Sequence, residues 1–126
     1  MTADTASWDL IVVGGGAAGM AAAIFAAERT SRVLLIDHAD VLGGTLWVAN
    51  GQLSAAVSSA VGLAVNDQLQ VIRPDGSAIP GLWAAGELLG ASQTMGRAVC
   101  GGMMATPALT FGRLLGQSLI PLTSRT

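Results

Sequence analysis

The segment W-D-L-I-V-V-G-G-G-A-A-G occupies residues 8–19 and carries the strongest indication of the fold. Residues 8–13 form a short, β-branched and almost entirely apolar run, which is typical of a parallel strand buried on both faces. Gly14, Gly16 and Gly19 follow with the spacing G-x-G-x-x-G. Because glycine permits a tight turn and a close approach of the backbone, this segment predicts a strand that runs directly into a turn and then a helix.

A second strand completes the unit. Residues 17–29 are rich in alanine, with Met20, Ile24 and Ala27 on one side, and this pattern predicts a helix that packs closely on a sheet. Residues 32–37, R-V-L-L-I-D, form another buried-strand run. The three elements make a β-α-β unit of about thirty residues, for which a right-handed crossover is expected.

The middle of the chain is less regular. Residues 39–56 predict a loop. Residues 61–65 and 69–73 flank a short polar stretch and predict a hairpin. A second turn is predicted at residues 74–76, P-D-G, and residues 82–85 predict a short strand that lies in the parallel sheet with the first two.

The last predicted element is a helix that ends near Ser118. Thr106 and Pro107 have the character of an N-cap and a first helical residue. Its apolar stripe is formed by Phe111, Leu114, Leu115 and Leu119.

The glycine motif and an acid indicate a dinucleotide site. Gly14 allows the turn, Gly16 lets the backbone approach a pyrophosphate, and Gly19 lets the helix pack against the strand. Asp37 ends the second strand eighteen residues after Gly19. Its carboxylate can accept hydrogen bonds from ribose hydroxyls and would repel a 2′-phosphate, so FAD or NAD is favoured over NADP. Ala17 and Ala18, in the first helical turn, belong to the same candidate site, and His38 is expected to contact adenine or solvent.

Residues 79–87, I-P-G-L-W-A-A-G-E, make the indication more specific. This strand ending in Gly86 and Glu87 resembles a segment of the fumarate reductase/succinate dehydrogenase flavoproteins, a family of FAD-dependent oxidoreductases. The resemblance implies FAD as the cofactor and a role for the Glu87 carboxylate at the ribityl chain. It also implies an α/β, Rossmann-type FAD-binding fold, with a parallel sheet flanked by helices and a small β-hairpin.

Gly43-Gly44-Thr45, followed by Gly51 within N-G-Q, is similar to the glycine loop with which the family surrounds the pyrophosphate and the flavin edge. Backbone N–H groups exposed by glycine and a threonine hydroxyl can satisfy phosphate oxygens. Family members that bind FAD covalently use a histidine in this loop. Residues 43–56 contain no histidine, so non-covalent binding is expected.

The sequence F-G-R at residues 111–113 matches the family's closing helix, whose N-terminal amides face the pyrimidine side of the flavin. The resemblance begins this helix near Met103, whereas the capping argument begins it at Thr106. The residues expected beside the flavin are Gly102, Met103, Met104 and Ala105.

The resemblance covers two blocks, residues 8–56 and 61–117, which meet at about 57–60. In the family a substrate-capping domain lies between them, and no residue here matches its catalytic arginine and histidine. We therefore expect residues 1–126 to form a single minimal FAD-binding domain with no catalytic residue carried over from the family. Arg97 is predicted to be a surface residue rather than a substrate ligand.

Composition limits the partners. The formal charge is −2, lysine is absent and the six arginines are scattered, which excludes a basic surface for nucleic acid. Cys100 is the only cysteine, so no disulfide or cysteine-rich metal site is expected and the cytoplasm is the expected location. Residues 10–27 are uncharged, but their glycines argue for a strand and a helix rather than a membrane span.

The chain is unusually apolar. Hydrophobic residues make up 52% of it and charged residues 11%, against roughly a quarter charged in an ordinary soluble domain. Apolar surface of this extent predicts either a bound ring system or a homo-oligomer, with a dimer favoured.

Three functions are consistent with these features. The first is FAD binding by a minimal flavoprotein domain whose flavin is redox-active. The second is a flavin-dependent oxidoreductase completed by dimerisation or by a partner protein. The third is an NAD-binding module without catalysis.

Overall fold

The computed structural model describes residues 7–44, 61–90 and 104–122. Its elements, in chain order, are β1 (Leu10–Val13), α1 (Ala17–Ala27), β2 (Val33–Ile36), β3 (Gln70–Ile72), β4 (Ala78–Trp83), a 3₁₀ turn (Glu87–Leu89) and α2 (Ala105–Ser118). The mixed α/β fold, with a parallel strand pair, helices and an antiparallel hairpin, confirms the predicted fold class.

The first three elements form the predicted β-α-β unit. β1 and β2 are parallel, with Leu10 opposite Val33 and Val13 opposite Ile36. The ladder continues into the glycine loop, because the Gly14 N–H donates to the Ile36 carbonyl at 2.8 Å. The loop therefore begins at the carboxyl ends of both strands, which is where ligands bind in open α/β sheets.

Residues 10–27 divide into β1, a glycine loop and α1, as the sequence predicts. Within the described residues, no helix is long and apolar enough to cross a membrane.

The sheet of β1 and β2 is covered on one face by α1. Val12 points toward α1, since its Cγ1 lies 3.3 Å from an ideal Cβ built on Gly19. On the opposite face Ile11 is 54% exposed, Val13 80% and Ile36 44%. The expectation that β1 is buried on both faces is wrong for the described part of the chain, because α1 supplies a single covering layer.

Small residues bring α1 and α2 into close contact. An ideal Cβ on Gly112 would lie 2.2 Å from the Ala18 carbonyl oxygen, and one on Gly116 would lie 2.4 Å from that of Ala22. The predicted apolar side of α1 is therefore wrong: Ile24 is 61% exposed, while Ala22 is buried. Backbone proximity, which favours small side chains, decides which face of α1 is inside.

α2 begins before the predicted cap. Met104 is the N-cap residue, with no side-chain cap hydrogen bond, and its carbonyl accepts the Ala108 N–H at 3.2 Å. Thr106 lies inside the helix, so the capping prediction is wrong, and Met103 itself lies outside the described residues. Leu114 is 51% exposed, so the predicted apolar stripe is only partly correct. The buried residues of α2 are Ala108, Gly112, Leu115 and Gly116.

The regular hairpin is β3 with β4. The predicted pairing of residues 61–65 with 69–73 is reduced to an antiparallel bridge between Val65 and Val71. β4 pairs antiparallel with β3 and not with β1. The prediction of a strand at 82–85 within the parallel sheet is therefore wrong. The turn at residues 74–76 folds β4 back onto β3, and Pro80, which has no N–H to donate, suits a strand at a sheet edge.

Candidate functional site

The glycine loop between β1 and α1 leaves open space above its backbone. Gly14 has φ +102°, a conformation that favours glycine, and Gly16 has φ −74° and ψ −175°. An ideal Cβ on either residue would meet no described heavy atom within 4 Å. At Gly19, by contrast, a Cβ would lie 1.9 Å from the Gly14 carbonyl oxygen. The three glycines therefore lack a side chain for different reasons. Gly14 has a backbone conformation that favours glycine, Gly16 leaves its backbone open to a ligand, and Gly19 lets α1 pack closely on the loop.

The N-terminus of α1 faces this open space. Gly16 is its N-cap residue, no side chain in the described ranges caps it, and no acidic residue lies in its first turn. The first N–H groups of a helix have no partner within the helix, and they carry a partial positive charge. The amides of Ala17, Ala18 and Gly19 are therefore suited to an anion such as a pyrophosphate.

Asp37 follows β2 and lies beside the loop. Its Oδ2 accepts the Gly15 N–H, and its Oδ1 accepts the Ala39 N–H at 2.8 Å. The pKa of Asp37 is held below its usual value of 3.8 by these two hydrogen bonds, of which the one from Ala39 has the larger effect. The side chain is 11% exposed. An anionic carboxylate is therefore held at the edge of the glycine loop at neutral pH, as ribose recognition requires.

His38 extends into solvent. Its side chain is 99% exposed, and its Nδ1 lies 3.2 Å from Asp37 Oδ1. A contact of His38 with adenine stays a prediction.

The second glycine pair packs against the first. The Gly43 N–H donates to the Gly15 carbonyl at 2.8 Å, and an ideal Cβ on Gly44 would lie 3.2 Å from the Gly16 Cα. Gly43 and Gly44 have φ +125° and +52°. The two glycine segments, 27 or more residues apart in sequence, therefore form one backbone surface. The predicted contributions of Thr45 and Gly51 lie outside the described residues.

Gly86 brings the third motif to the same place. It has φ +87°, and an ideal Cβ on it would lie 3.0 Å from the Ala18 Cβ and 3.8 Å from the Ala108 Cβ. Gly86 therefore touches the first turns of both α1 and α2. Glu87 follows at the start of the 3₁₀ turn and is exposed.

The start of α2 carries the remaining predicted residues. Met104 and Ala105 are half-buried at this helix N-terminus. Gly102 and Met103 lie outside the described residues, as do Arg97 and Cys100.

Gly15 is the residue that the sequence reasoning missed. It is buried, its N–H and C=O are both hydrogen-bonded, and a Cβ on it would lie 2.4 Å from Leu42 Cδ2 and 3.1 Å from Asp37 Oδ2. The run of three consecutive glycines was the available signal, because the motif itself requires only Gly14 and Gly16 of the three.

These groups fit a dinucleotide cofactor. The open space over Gly14 and Gly16, the uncapped N-terminus of α1 and the anionic Asp37 match a pyrophosphate and a ribose in adjacent positions. The contacts of Gly43 and Gly86 extend the same surface toward α2.

Family comparisons agree with this geometry. Residues 9–73 match the model of a family described as FAD dependent oxidoreductase, and residues 55–103 match one described as FAD binding domain. The first match covers just over half of the chain and contains the glycine loop, Asp37 and Gly43–Gly44.

Individual relatives match parts of the chain. A thiamine thiazole synthase of Aeropyrum pernix is 38% identical over 84 residues, which is 66% of this chain and 30% of that protein. One subunit of the opine oxidase of Rhizobium meliloti is 37% identical over 73 residues, 56% of this chain and 16% of the relative. A fumarate reductase (cytochrome) of Shewanella frigidimarina is 44% identical over 48 residues, 38% of this chain and 8% of the relative.

The chain thus spans less than a third of the length of each of these relatives. No solved structure matches it significantly. From the family match and the geometry of the glycine loop, the chain belongs to the FAD dependent oxidoreductase family, as an FAD-binding domain whose cofactor is FAD.

Proposed function

We propose that this chain binds FAD non-covalently as a single minimal flavoprotein domain, built from residues 8–56 and 61–117. The observation that carries the proposal is the convergence of three glycine motifs on the first turn of α1. Gly16 caps that turn, Gly44 lies against Gly16, and Gly86 lies against Ala18. A single ligand that contacts all three motifs would explain why segments this far apart in sequence lie together.

Each part of the site has a distinct role in the proposal. The N-terminus of α1 binds the pyrophosphate, with Ala17, Ala18 and Gly19 supplying N–H groups. Asp37 accepts hydrogen bonds from the adenosine ribose, and Glu87 does the same for the ribityl hydroxyls. Bound FAD supplies redox chemistry through its ring system.

The N-terminus of α2 has an electrostatic role. The positive end of a helix dipole favours negative charge on a neighbouring group. We therefore expect Met104 and Ala105, together with Gly102 and Met103, to face the pyrimidine side of the flavin and to favour its anionic forms. The first turn of α2 contains no acidic residue that would oppose this effect.

Substrate chemistry is the second part of the proposal. No residue of this chain is assigned to the family's substrate site, so the proposal assigns no substrate to it. The alternative function, an oxidoreductase completed by dimerisation or a partner, is favoured by the exposed face of β1 and β2. The relative from Rhizobium meliloti carries a name that describes it as one subunit of an opine oxidase. The NAD-binding alternative is disfavoured by the two FAD-family matches.

We propose that a second copy of the chain covers the exposed face of the parallel sheet. Ile11, Val13 and Ile36 lie there side by side in the strand register. Replacing Val13 by serine is expected to lower the apparent mass in sedimentation velocity, with Val61→Ser, which changes an 82% exposed valine outside this sheet, as the control. An unchanged mass for Val13→Ser would remove this face from the interface. The cytoplasmic location stays a prediction.

The experiment that tests FAD binding is a visible absorption spectrum of the purified chain, followed by heat release and chromatography of any cofactor. Released FAD with flavin absorbance in the native protein is the expected result. A colourless chain that also fails to take up added FAD, monitored by flavin fluorescence, would refute the proposal. FAD that remains attached after denaturation would refute the non-covalent assignment alone.

A further inference from the structure

The backbone of Gly15 connects the glycine loop with two other segments of the described chain. Its N–H donates to Asp37 Oδ2, and its carbonyl accepts the Gly43 N–H at 2.8 Å. Gly14 is meanwhile held to β2 through its own N–H and the Ile36 carbonyl, at 2.8 Å. The glycine loop is therefore hydrogen-bonded on one side to the end of β2 and on the other to the second glycine pair.

Asp37 is the one side chain among the hydrogen-bond partners of Gly14 and Gly15 named above. Both of its carboxylate oxygens accept backbone N–H groups, from Gly15 and Ala39, and its side chain is 11% exposed. A short side chain at the end of a strand has little freedom to move, so it holds whatever it binds in a defined place. Here it accepts a hydrogen bond from the loop itself, through the Gly15 N–H.

We propose that Asp37 is a positioning residue for the phosphate-binding loop as well as the acceptor of ribose hydroxyls. By accepting the Gly15 N–H, it holds the loop so that Gly16 and the first turn of α1 face the pyrophosphate. Recognition of the ribose and of the pyrophosphate then depends on one carboxylate. The inference rests on the proposed function of the site.

The composition of the loop explains why such a residue is needed. Gly14, Gly15 and Gly16 are consecutive, and glycine loses more backbone freedom on ordering than any other residue. An unanchored loop of this kind would have to be ordered at the moment of binding, which weakens affinity. The Gly15 N–H is directed at Asp37 rather than at a ligand, so its contribution to binding is through the shape of the loop.

A ligand comparison separates the two roles. ADP and 2′,3′-dideoxy-ADP share the pyrophosphate, but only ADP offers ribose hydroxyls. If Asp37 acted through the hydroxyls alone, Asp37→Ala would leave the affinity for dideoxy-ADP unchanged. The proposal predicts that Asp37→Ala weakens dideoxy-ADP binding by roughly tenfold, as expected for loss of one hydrogen bond to a charged group, and weakens ADP binding further. Titrations of the full chain by NMR or calorimetry measure both.

Amide exchange provides a test that needs no nucleotide. In the protein without cofactor, the Gly15 N–H should exchange about tenfold faster in Asp37→Ala than in the wild type. Asp37→Asn keeps a carbonyl oxygen for this N–H and should restore part of the protection. Asp40→Ala, which removes an exposed acid three residues away, should leave Gly15 unchanged.

The outcomes are distinguishable. Unchanged exchange at Gly15 in Asp37→Ala, or unchanged dideoxy-ADP affinity, would overturn the positioning role. If the wild-type chain bound neither FAD nor ADP, the proposed function would fail, while the exchange comparison would still decide whether Asp37 orders the loop. Should Asp37→Ala fail to fold, as judged by circular dichroism, Asp37→Asn carries the same comparisons with smaller expected changes.

Discussion

Gly16→Ala separates cofactor binding from folding at a single position. With φ −74° and ψ −175°, Gly16 has a backbone conformation that alanine also adopts, and its added Cβ would meet no described heavy atom within 4 Å. The methyl group instead occupies the space in which the pyrophosphate must approach the backbone. Two phosphate hydrogen bonds lost at about 1.5 kcal/mol each amount to ~3 kcal/mol, or roughly a hundredfold weaker FAD binding.

The stability of the protein without cofactor should change little. Alanine is a poorer N-cap residue than glycine, whereas the loss of backbone freedom in the unfolded chain acts in the opposite direction. Both effects are on the order of 1 kcal/mol or less, which corresponds to a shift of about 4 °C in Tm. Gly19→Ala is the contrasting variant, because its Cβ would lie 1.9 Å from the Gly14 carbonyl oxygen and should disrupt packing of α1 on β1.

The assay combines a fluorescence titration with FAD and thermal unfolding of each chain without cofactor. Gly16→Ala should lose affinity and keep its Tm, whereas Gly19→Ala should lose both. Wild-type FAD affinity in Gly16→Ala would refute the assignment of the pyrophosphate to this loop. A large fall in its Tm would instead refute the conclusion that the space above Gly16 is open.

Three further predictions concern packing, the ribityl contact and acid stability. Gly112→Ala places a Cβ 2.2 Å from the Ala18 carbonyl oxygen and should destabilise the chain by about 1–3 kcal/mol in urea unfolding; an unchanged midpoint would contradict the close contact of α1 and α2. Glu87→Ala should weaken FAD binding about tenfold with little effect on unfolding, and unchanged affinity would remove Glu87 from the site. The Asp9 carboxylate accepts hydrogen bonds from the side chains of Arg32 and Thr30, and these lower its pKa below 3.8, with Arg32 having the larger effect. Because the anionic form is favoured in the folded state, its contribution is present above pH 3.8 and declines as the pH falls through the lowered value. The stability difference between wild type and Asp9→Asn should therefore narrow between pH 7 and pH 3, and a constant difference would contradict the role of the ion pair.

The β1-loop-α1-β2 unit could be predicted because its signals are local. The apolar run of β1, the glycine spacing and the alanine-rich helix each depend on neighbouring residues, and the acid at Asp37 follows from the end of β2. The same reasoning correctly divided residues 10–27 into a strand and a helix. Local patterns are reliable here because each element's length and period match its backbone geometry.

Pairings and faces could not be predicted in this way. β4 joins β3 because the turn at residues 74–76 brings them together, although the apolar run at 82–85 would suit a parallel strand equally well. Ile24 faces solvent because the close approach of α2 selects alanines on α1. Thr106 has the chemistry of a cap, but it lies within the helical turn that the Ala108 N–H closes on the Met104 carbonyl.

The sequence by itself determined the cofactor class and the candidate residues for binding it, because the spacing of Gly14, Gly16 and Gly19 and the acid at Asp37 reflect requirements of one ligand. Only the tertiary structure decided how the motifs meet. Hydrogen bonds from Gly15 to Asp37 and from Gly43 to Gly15 join segments distant in sequence, and no local pattern specifies such contacts. The physical reason is that backbone groups leave no trace in side-chain periodicity, so their partners become visible only once the chain is folded.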